Sequence, residues 1–388
     1  MKKVLILGGG FAGIQAAIEL QKTKKFEITL VSDRDYFYLY PISIWIPTGK
    51  LPFEKAKIPL SKLQKKHGFS ILIDKVVKIN APEKSVECAK QNLNFDYLII
   101  AIGAEKMKHP GIENTMSICG NPEVSVQMKD KLDALIQKGS GKIAIGFGGN
   151  PNDKSAVRGG PAFEMIFNIH NLLKKKGIRN NFEITAFAPM ESPGEKMGPG
   201  ALKLMGKMFE SYSIKTRFGK KIKEFQPDRI VFADESFLLS DYTMFISATA
   251  GNKIFTESNL PVSEAGFLKI EDSTQLVGYP EIFAIGDSAA LVGPDWTAKQ
   301  GHIAEVMARI AAFNILQIEN GKTERKEYPS HLSILCVMDT GNGAAIIHRN
   351  AKKSSVIPLP IVGHWMKQGW GYYAKWTKLK MFPRLPGM

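Results

Sequence analysis

Cysteine is scarce in this chain. Three cysteines occur in 388 residues, Cys88, Cys119 and Cys336. An odd and widely spaced set is neither a disulfide framework nor a zinc site, so we expect no bound metal and a reducing compartment. No CxxC or CxxxxC pair occurs, which argues against a redox centre made of two neighbouring cysteines.

Long apolar runs are also lacking. No stretch approaches the roughly eighteen apolar residues of a membrane-spanning helix, so we expect the chain not to cross a bilayer. Lys2-Lys3 precedes the apolar residues 4 to 7, but this run is too short for a secretion signal and enters a glycine loop. We therefore expect no signal peptide.

Acidic residues are few relative to basic ones. The 37 Asp and Glu against 52 Lys and Arg give a net charge of +15. No helix-turn-helix, zinc-finger or RNA-binding signature is present, so we expect no nucleic-acid partner, and the charge favours an anionic membrane surface. The alternative is a solvated basic surface. The 388 residues are enough for two or three domains.

The N-terminus carries a glycine loop with the spacing of a dinucleotide-binding turn. An apolar strand ends at Gly8, and Gly10 and Gly13 follow at the GxGxxG spacing. The glycines permit the tight turn, close approach of the backbone to a pyrophosphate, and strand-helix packing. The next strand, residues 26 to 32, ends at Ser32, and Asp33 follows at about the spacing of a ribose-binding acid.

A second strand-helix-strand unit starts about 140 residues later. The strand 141 to 147 enters glycines, residues 161 to 176 predict a helix, and residues 182 to 187 predict the next strand. This repetition predicts two tandem dinucleotide-binding folds in an α/β chain. The second loop is longer, because residues 150 to 158 are inserted before Gly159, and we expect this insertion to keep NAD from the second domain.

A Gly-Asp pair follows a third apolar strand. Residues 279 to 285 lead into Gly286-Asp287, where a carboxylate at a strand end can accept hydrogen bonds from a polyol. The segment from Lys299 predicts a helix whose N-terminal dipole faces an electron-rich ring.

These motifs, in this order, resemble the flavoproteins with two dinucleotide-binding domains, and among them the sulfide:quinone oxidoreductases. The resemblance implies bound FAD, with Asp287 on its ribityl chain and the loop from Tyr36 to Pro41 beside its ring. The residues that we expect to contact or support FAD are Gly8, Gly10, Phe11, Ala12, Gly13, Ser32, Asp33, Pro41, Ala101, Gly103, Gly286, Asp287, Lys299, Gln300 and Gly301.

The resemblance also implies a redox site. The segment Gly160 to Glu164 is similar to one whose glutamate handles protons near the flavin, and the segments around Cys119 and Cys336 are similar to those of the family's first and last cysteines. We expect Glu164 and Lys299 to manage protons and Cys336 to handle sulfur. The alternatives are ordinary surface salt bridges for Glu164 and Lys299, and inert buried thiols for the cysteines.

One departure from the family bears on the electron donor. The middle cysteine of the family is replaced by Arg158, so its usual disulfide with the last cysteine cannot form. Either Cys119 and Cys336 act through another geometry, or the donor is not sulfide.

The C-terminal segment has an interfacial pattern. On a helical wheel Trp365, Gly369, Tyr372, Tyr373, Trp376 and Leu379 share one face, and Lys367, Lys375 and Lys378 lie opposite. Rings at headgroup level and lysines near anionic lipid favour a helix in the plane of the membrane. The alternative is a helix that packs on the surface of the protein itself.

Together these patterns predict a peripheral membrane flavoenzyme, on the cytoplasmic face, that transfers electrons from sulfide or a related sulfur species to a quinone. The alternatives are a type II NADH:quinone oxidoreductase and a flavin-binding redox protein without sulfide turnover. Self-association into a homo-oligomer is possible. We expect a first FAD-binding part at 1–105, a second Rossmann-like domain at 106–250, a second FAD-binding part at 251–320 and a membrane and quinone region at 321–388.

Overall fold

The computed structural model describes residues 1–360 and 362–382. The α-helices in these residues are α1 Phe11–Thr23, α2 Tyr40–Ser43, α3 Leu60–His67, α4 Val124–Lys138, α5 Gly160–Lys175, α6 Pro199–Ser211, α7 Lys253–Glu257, α8 Gly301–Glu319 and α9 Val362–Lys378. The strands are β1 Lys2–Leu7, β2 Phe26–Ser32, β3 Tyr36–Tyr38, β4 Lys57–Pro59, β5 Ser70–Ile73, β6 Val76–Asn80, β7 Ser85–Cys88, β8 Asn92–Asn94, β9 Tyr97–Ile100, β10 Glu105–Lys106, β11 Gly141–Phe147, β12 Phe182–Ala188, β13 Ile214–Phe218, β14 Ile222–Gln226, β15 Arg229–Phe232, β16 Phe237–Leu239, β17 Tyr242–Ile246, β18 Thr249–Ala250, β19 Gln275–Leu276, β20 Tyr279–Ala284, β21 Ile334–Asp339, β22 Gly343–Arg349 and β23 Ser354–Pro360.

The first half of the α/β fold is a six-stranded sheet with the order β19-β20-β9-β1-β2-β5. All of its pairs are parallel except β19 with β20. Strands buried on both sides read as continuous apolar runs, as β9 does with all four residues buried. Because β20 pairs with β9, the chain returns to this sheet after passing through a second one.

The second sheet has the order β13-β12-β11-β17, and all of its strands are parallel. Helix α5 follows β11 and is buried on all sides from residue 162 to residue 171, a stretch rich in Phe, Met and Ile. The α/β class and the repeated strand-helix-strand unit predicted from the sequence are therefore both present. Two antiparallel three-stranded sheets, β6-β7-β8 and β14-β15-β16, are attached to the parallel sheets.

The C-terminal part consists of the antiparallel sheet β21-β22-β23 and helix α9, which packs on it. None of the helices in residues 1–360 and 362–382 is long and apolar enough to cross a membrane.

Two element boundaries differ from the sequence expectations. Helix α8 begins at Gly301 rather than at Lys299, because Gln300 has an extended backbone and its carbonyl accepts the N–H of Ala304 at 3.0 Å. The apolar run at residues 95 to 104 predicts a buried strand that ends in glycine, whereas strand β9 ends at Ile100, where the chain leaves the sheet before Gly103 adopts a φ of +77°.

Candidate active site

One open cavity of about 1860 Å³ gathers most of the predicted site residues. It lies at the carboxyl ends of the parallel strands of the first sheet, where ligands bind in folds of this type. The predicted residues that line it are Gly8, Gly10, Phe11, Ala12, Asp33, Pro41, Ala101, Gly103, Cys119, Glu164, Gly286, Asp287, Lys299, Gln300, Gly301 and Cys336. Gly13 and Ser32 lie behind this wall.

The glycine loop has the shape that a dinucleotide requires. Gly8 has a φ of +111°, and a Cβ there would stand 2.2 Å from the carbonyl oxygen of Ala101. A Cβ at Gly13 would stand 2.0 Å from the carbonyl oxygen of Gly8, so both positions exclude other residues. Beside Gly10, in contrast, nothing lies within 4 Å of an added Cβ. The backbone at Gly10 is thus open to the cavity, which fits the close approach of a pyrophosphate.

The end of β2 supplies a carboxylate at the rim of the cavity. The Asp33 side chain is 70% exposed and lies 3.5 Å from Nε of Arg34. Ser32 is buried, and its hydroxyl donates to the Arg34 carbonyl at 2.7 Å. The geometry suits Asp33 as a contact for a ribose and Ser32 as a support for the turn, and both assignments stay predictions.

Phe11 and Pro41 line the same cavity from α1 and α2. The ring of Phe11 packs edge to face on Phe37 with a centroid distance of 4.8 Å. The same ring lies beside Gly301, where an added Cβ would meet it at 3.6 Å, an ordinary van der Waals distance. These contacts fix the start of α1 against the start of α8.

The Gly-Asp pair after β20 reaches the cavity through a tight turn. Gly286 has a φ of +64°, and a Cβ there would lie 3.1 Å from Cβ of Ala12. Ser288 fixes the neighbouring chain, because its hydroxyl oxygen accepts the N–H of Gly103 at 2.9 Å. The carboxylate of Asp287 forms an ion pair with Arg158. The residue that replaces a family cysteine therefore contacts the predicted FAD ligand, which the sequence pattern did not indicate.

Lys299 is buried, so the alternative interpretation of this residue as part of a surface salt bridge is wrong. Its ammonium donates to the carbonyl of Ala289 and lies 3.8 Å from the centroid of the Phe267 ring. Burial lowers the pKa of Lys299 to about 7, an effect that Asp153 opposes and Arg158 reinforces. A group with this pKa can exchange a proton at neutral pH.

Glu164 is buried as well, which also excludes a surface salt bridge for it. Its carboxylate accepts the backbone N–H of Asp339 at 2.7 Å and forms an ion pair with Lys367 of α9. Burial raises the pKa of Glu164, and the ammonium of Lys367 opposes the rise. Glu164 can therefore hold a proton more readily than an exposed glutamate.

Cys336 lies on β21 beside this pair. Burial raises the pKa of its thiol to about 12, with a further contribution from Glu164. Cys336 is thus a protonated thiol rather than a resting thiolate. Cys119 is buried and lines the same cavity, and all three cysteines are free thiols.

A buried carboxylate behind Glu164 was missed by the sequence reasoning. Asp339 accepts from Nε1 of Trp45 at 2.9 Å, from the N–H of Gly341 at 2.5 Å and from Nδ1 of His364 at 2.7 Å. Burial favours the protonated form of Asp339, but the hydrogen bonds from His364 and Gly341 outweigh it and hold the pKa below its ordinary value. The only sequence signal was an aspartate at the end of the strand that carries Cys336.

The inserted loop after β11 is fastened to the first half of the fold. The Ser155 carbonyl accepts the N–H of Lys299 at 3.1 Å, and Nδ2 of Asn150 donates to the Thr249 carbonyl at 2.9 Å. Together with the pair between Arg158 and Asp287, these bonds close residues 150 to 158 over one side of the cavity.

Helix α9 does not expose the lysines that were expected to meet lipid. Trp365, Tyr372 and Trp376 are 71%, 54% and 44% exposed, whereas Lys367 and Lys378 are buried. Lys378 lies 2.7 Å from Glu305 of α8. The expectation that these two lysines meet lipid is therefore wrong, because each neutralises a carboxylate inside the protein. The side of α9 with Lys367 and Lys378 packs on the protein, and Trp365, Tyr372 and Trp376 are exposed on the other side. Tyr373 and Lys375 are half-buried, and Leu379, which was predicted on the aromatic face, is buried because it packs into the core.

Comparisons with known proteins agree with this architecture. The family model described as pyridine nucleotide-disulphide oxidoreductase matches residues 2–311. A sulfide-quinone reductase of Aquifex aeolicus is 27% identical over 412 residues and covers 98% of this chain and 90% of its own length. A type II NADH:quinone oxidoreductase of Staphylococcus aureus is 27% identical over 376 residues and covers 89% of this chain and 90% of its own.

The fold also has a solved counterpart. The crystal structure of the sulfide:quinone oxidoreductase from Aquifex aeolicus superposes with a TM-score of 0.88 at 23% identity, over 98% of this chain and 92% of that one. The resemblance and the flavin cofactor predicted from the sequence are both confirmed. The cavity, its glycine loop and the match over most of the sequence lead to one conclusion: the chain belongs to the pyridine nucleotide-disulphide oxidoreductase family and is an FAD-dependent oxidoreductase.

Proposed function

We propose that this oxidoreductase works at a membrane surface and passes electrons from a small sulfur donor to a quinone. The two relatives described above both carry quinone in their names, and each aligns along 90% of its own length. The choice between their donors, sulfide and NADH, depends on the geometry around the cavity.

The observation that carries the proposal is the closed loop at residues 150 to 158. In the second sheet a nicotinamide dinucleotide would need the turn after β11, where a short glycine loop meets a helix N-terminus. Here the turn is lengthened, and it is tied to the first half by the Ser155 carbonyl and the Arg158 guanidinium. The Asn150 amide fixes the loop to Thr249, just after the second sheet. A loop in this position favours a small donor over a dinucleotide.

The side chains around the cavity suit sulfur and proton chemistry. FAD, when bound, accepts two electrons from a donor and passes them to an acceptor. We assign the sulfur-handling thiol to Cys336, which has to lose its proton to react. Glu164, whose charge acts on that thiol, is the neighbouring group that can accept and return the proton, and Lys367 holds its carboxylate in place.

The membrane side of the proposal depends on α9 and α3. The exposed rings of Trp365 and Trp376 suit the headgroup level of a bilayer. Next to the end of α9 lies a group that we call the α3 basic surface, defined by Lys55, Lys62, Lys65, Lys66 and Lys380. All five are exposed. Nζ of Lys380 donates to the Lys66 carbonyl at 3.0 Å, which holds the two helices together. This surface, rather than the lysines within α9, can meet anionic lipid.

One observation favours the alternative of a type II NADH:quinone oxidoreductase. Arg158 occupies the position of the family's middle cysteine, so the two-cysteine relay of sulfide oxidation is incomplete. A relative with that activity has the same 27% identity as the sulfide-quinone reductase, although over 89% rather than 98% of this chain. In this case NADH would reduce the flavin and Cys336 would be dispensable.

Substitution of Cys336 separates the two functions. We expect Cys336→Ser to retain FAD. The rate of anaerobic flavin reduction by sulfide should fall at least about a hundredfold, because the sulfur-handling thiol is gone. Cys88→Ser is the matched control, since Cys88 is buried in β7 outside the cavity lining. Unchanged sulfide reduction in Cys336→Ser would remove the thiol from the mechanism, and fast reduction by NADH in both variants would favour the alternative.

A further inference from the structure

Two basic residues, Lys106 and Arg158, line the cavity together with Cys119, and neither has been assigned a role toward the electron donor so far. Lys106 lies in β10, Cys119 lies in the loop before α4, and Arg158 ends the inserted loop. All three line the cavity. They come from three separate segments of the chain, so the fold rather than a local motif brings them together.

This cluster carries more positive than negative charge. The structure pairs Lys106 with no carboxylate in the residues that it describes, and its ammonium contacts the Ser117 hydroxyl at 3.4 Å. Burial lowers the pKa of Lys106 to about 8, an effect that Cys119 opposes and Arg158 reinforces. The contact with Ser117 places the ammonium of Lys106 against the segment that carries Cys119. A partly buried cation without a counter-charge is costly, and a bound anion relieves that cost.

Arg158 has hydrogen-bonding capacity beyond its ion pair. A guanidinium has five N–H donors, and the pair with Asp287 runs from one terminal nitrogen of Arg158. The arginine side chain is 30% exposed. The loop that carries Cys119 is held in place because the Tyr40 hydroxyl donates to the Gly120 carbonyl at 2.7 Å.

We propose that Lys106 and Arg158 form a binding subsite for a sulfur anion and hold its sulfur beside the thiol of Cys119. The ligand class is a small anionic sulfur nucleophile, which a hydrosulfide ion or a low-molecular-weight persulfide could provide. The identity of the ligand as the electron donor rests on the proposed function, whereas the anion-binding character rests on the charges alone. In this account the arginine that replaces a cysteine contributes charge where the family has a second thiol.

Selective alkylation of Cys119 tests the subsite without turnover. The FAD-loaded protein is treated separately with iodoacetate, which is anionic, and iodoacetamide, which is neutral and of similar size. Modification rates at Cys119 and at Cys336 are then measured by peptide mass spectrometry. We expect the ratio of the iodoacetate rate to the iodoacetamide rate to be about tenfold higher at Cys119 than at Cys336, because fixed cations concentrate anions locally.

Three variants sharpen the test. Lys106→Gln and Arg158→Gln should each lower the rate ratio at Cys119 several-fold. Lys131→Gln, a control on the exposed face of α4, should leave it unchanged. Equal ratios at the two cysteines, a ratio that the glutamine variants leave unchanged, or a Cys119 that reacts with neither reagent would each overturn the subsite.

The result is separable from the proposed function. If Cys119 shows the anion preference but sulfide does not reduce the flavin, the subsite stands and the proposed function is wrong. Flavin reduction by sulfide without the preference shows the reverse. If both hold, Lys106→Gln should raise the KM for the true donor about tenfold. Measurement of this KM separately with hydrosulfide and with a persulfide then shows which of them uses the subsite.

Discussion

At the scale of single residues, the site depends on buried charges that the sequence pattern assigned to the surface. Lys367 lies on α9 yet ends beside Glu164 in the interior, where both side chains are about 5% exposed. A helical wheel gives the direction of a side chain but not what the helix packs against. Glu164 itself was predictable from its motif, whereas its partner on a helix about 200 residues later was not.

The first prediction concerns this ion pair. We expect Lys367→Met to lower the free energy of unfolding by about 3 kcal/mol, because it leaves a buried carboxylate without its cation. In the double variant with Glu164→Gln the loss should be smaller, since no charge is then stranded. Urea unfolding at pH 7 of the three FAD-loaded proteins measures the difference. A double variant less stable than Lys367→Met would contradict this account of the pair.

The second prediction uses the pKa of Lys299. Because that pKa is about 7 in the folded protein and near 10.5 in an ordinary lysine, the unfolded chain binds more protons between these values. Lys299 therefore adds to stability as the pH rises through this window, by at most about 1.4 kcal/mol per pH unit.

Lys299→Met removes this dependence. The stability of the wild-type protein relative to the variant should rise from pH 7 to pH 9 in urea unfolding curves. Lys131→Met, on the exposed face of α4, is the control and should show no such trend. A difference that is constant with pH would show that Lys299 is charged in the folded protein throughout the range.

At the scale of elements, α9 and the inserted loop contrast in how far the sequence predicted them. The insertion at 150 to 158 was visible as extra residues between glycines, and its bonds to Lys299 and Asp287 agree with the expected obstruction. The helix and its aromatic face were also visible. Its orientation was not, because the carboxylates of Glu164 and Glu305, which decide it, lie on other helices.

The third prediction concerns the aromatic face of α9. Deletion of the helix would strand Glu164 and Glu305, so substitution is the cleaner test. We expect Trp365→Ser with Trp376→Ser to reduce flotation with liposomes at least about tenfold, because two exposed rings no longer enter the headgroup region. FAD content and thermal midpoint should be unchanged. Phe237→Ser, at an exposed ring of β16, is the control, and equal flotation of all variants would contradict the role of α9.

At the scale of the whole molecule, the glycine loop and the two strand-helix-strand units follow from local sequence signals, and a second FAD-binding part that contains β20 was expected from the motif order. The strand order and the position of the cavity were not predicted. The net charge of +15 was visible in the sequence, but where it concentrates was not. The α3 basic surface arises because Lys380, after α9, lies against α3, a contact between residues more than 300 positions apart.

The fourth prediction concerns that surface. Lys62→Glu with Lys66→Glu should weaken binding to vesicles that contain anionic lipid by about tenfold or more, at roughly 1 kcal/mol per lysine removed. Binding to neutral vesicles should change little. The matched control is Lys131→Glu with Lys253→Glu, which alters the net charge equally at two other exposed lysines. If both pairs weaken binding alike, the net charge rather than this surface attracts the membrane.

The central claim is tested most directly by the flavin itself. The purified protein is made anaerobic, sulfide is added while the oxidised flavin band near 450 nm is recorded, and a water-soluble quinone analogue follows. We predict bleaching by sulfide within the turnover time, full return of the band with quinone, and no comparable bleaching by NADH. The account would be contradicted if the flavin stayed oxidised with sulfide and was reduced by NADH.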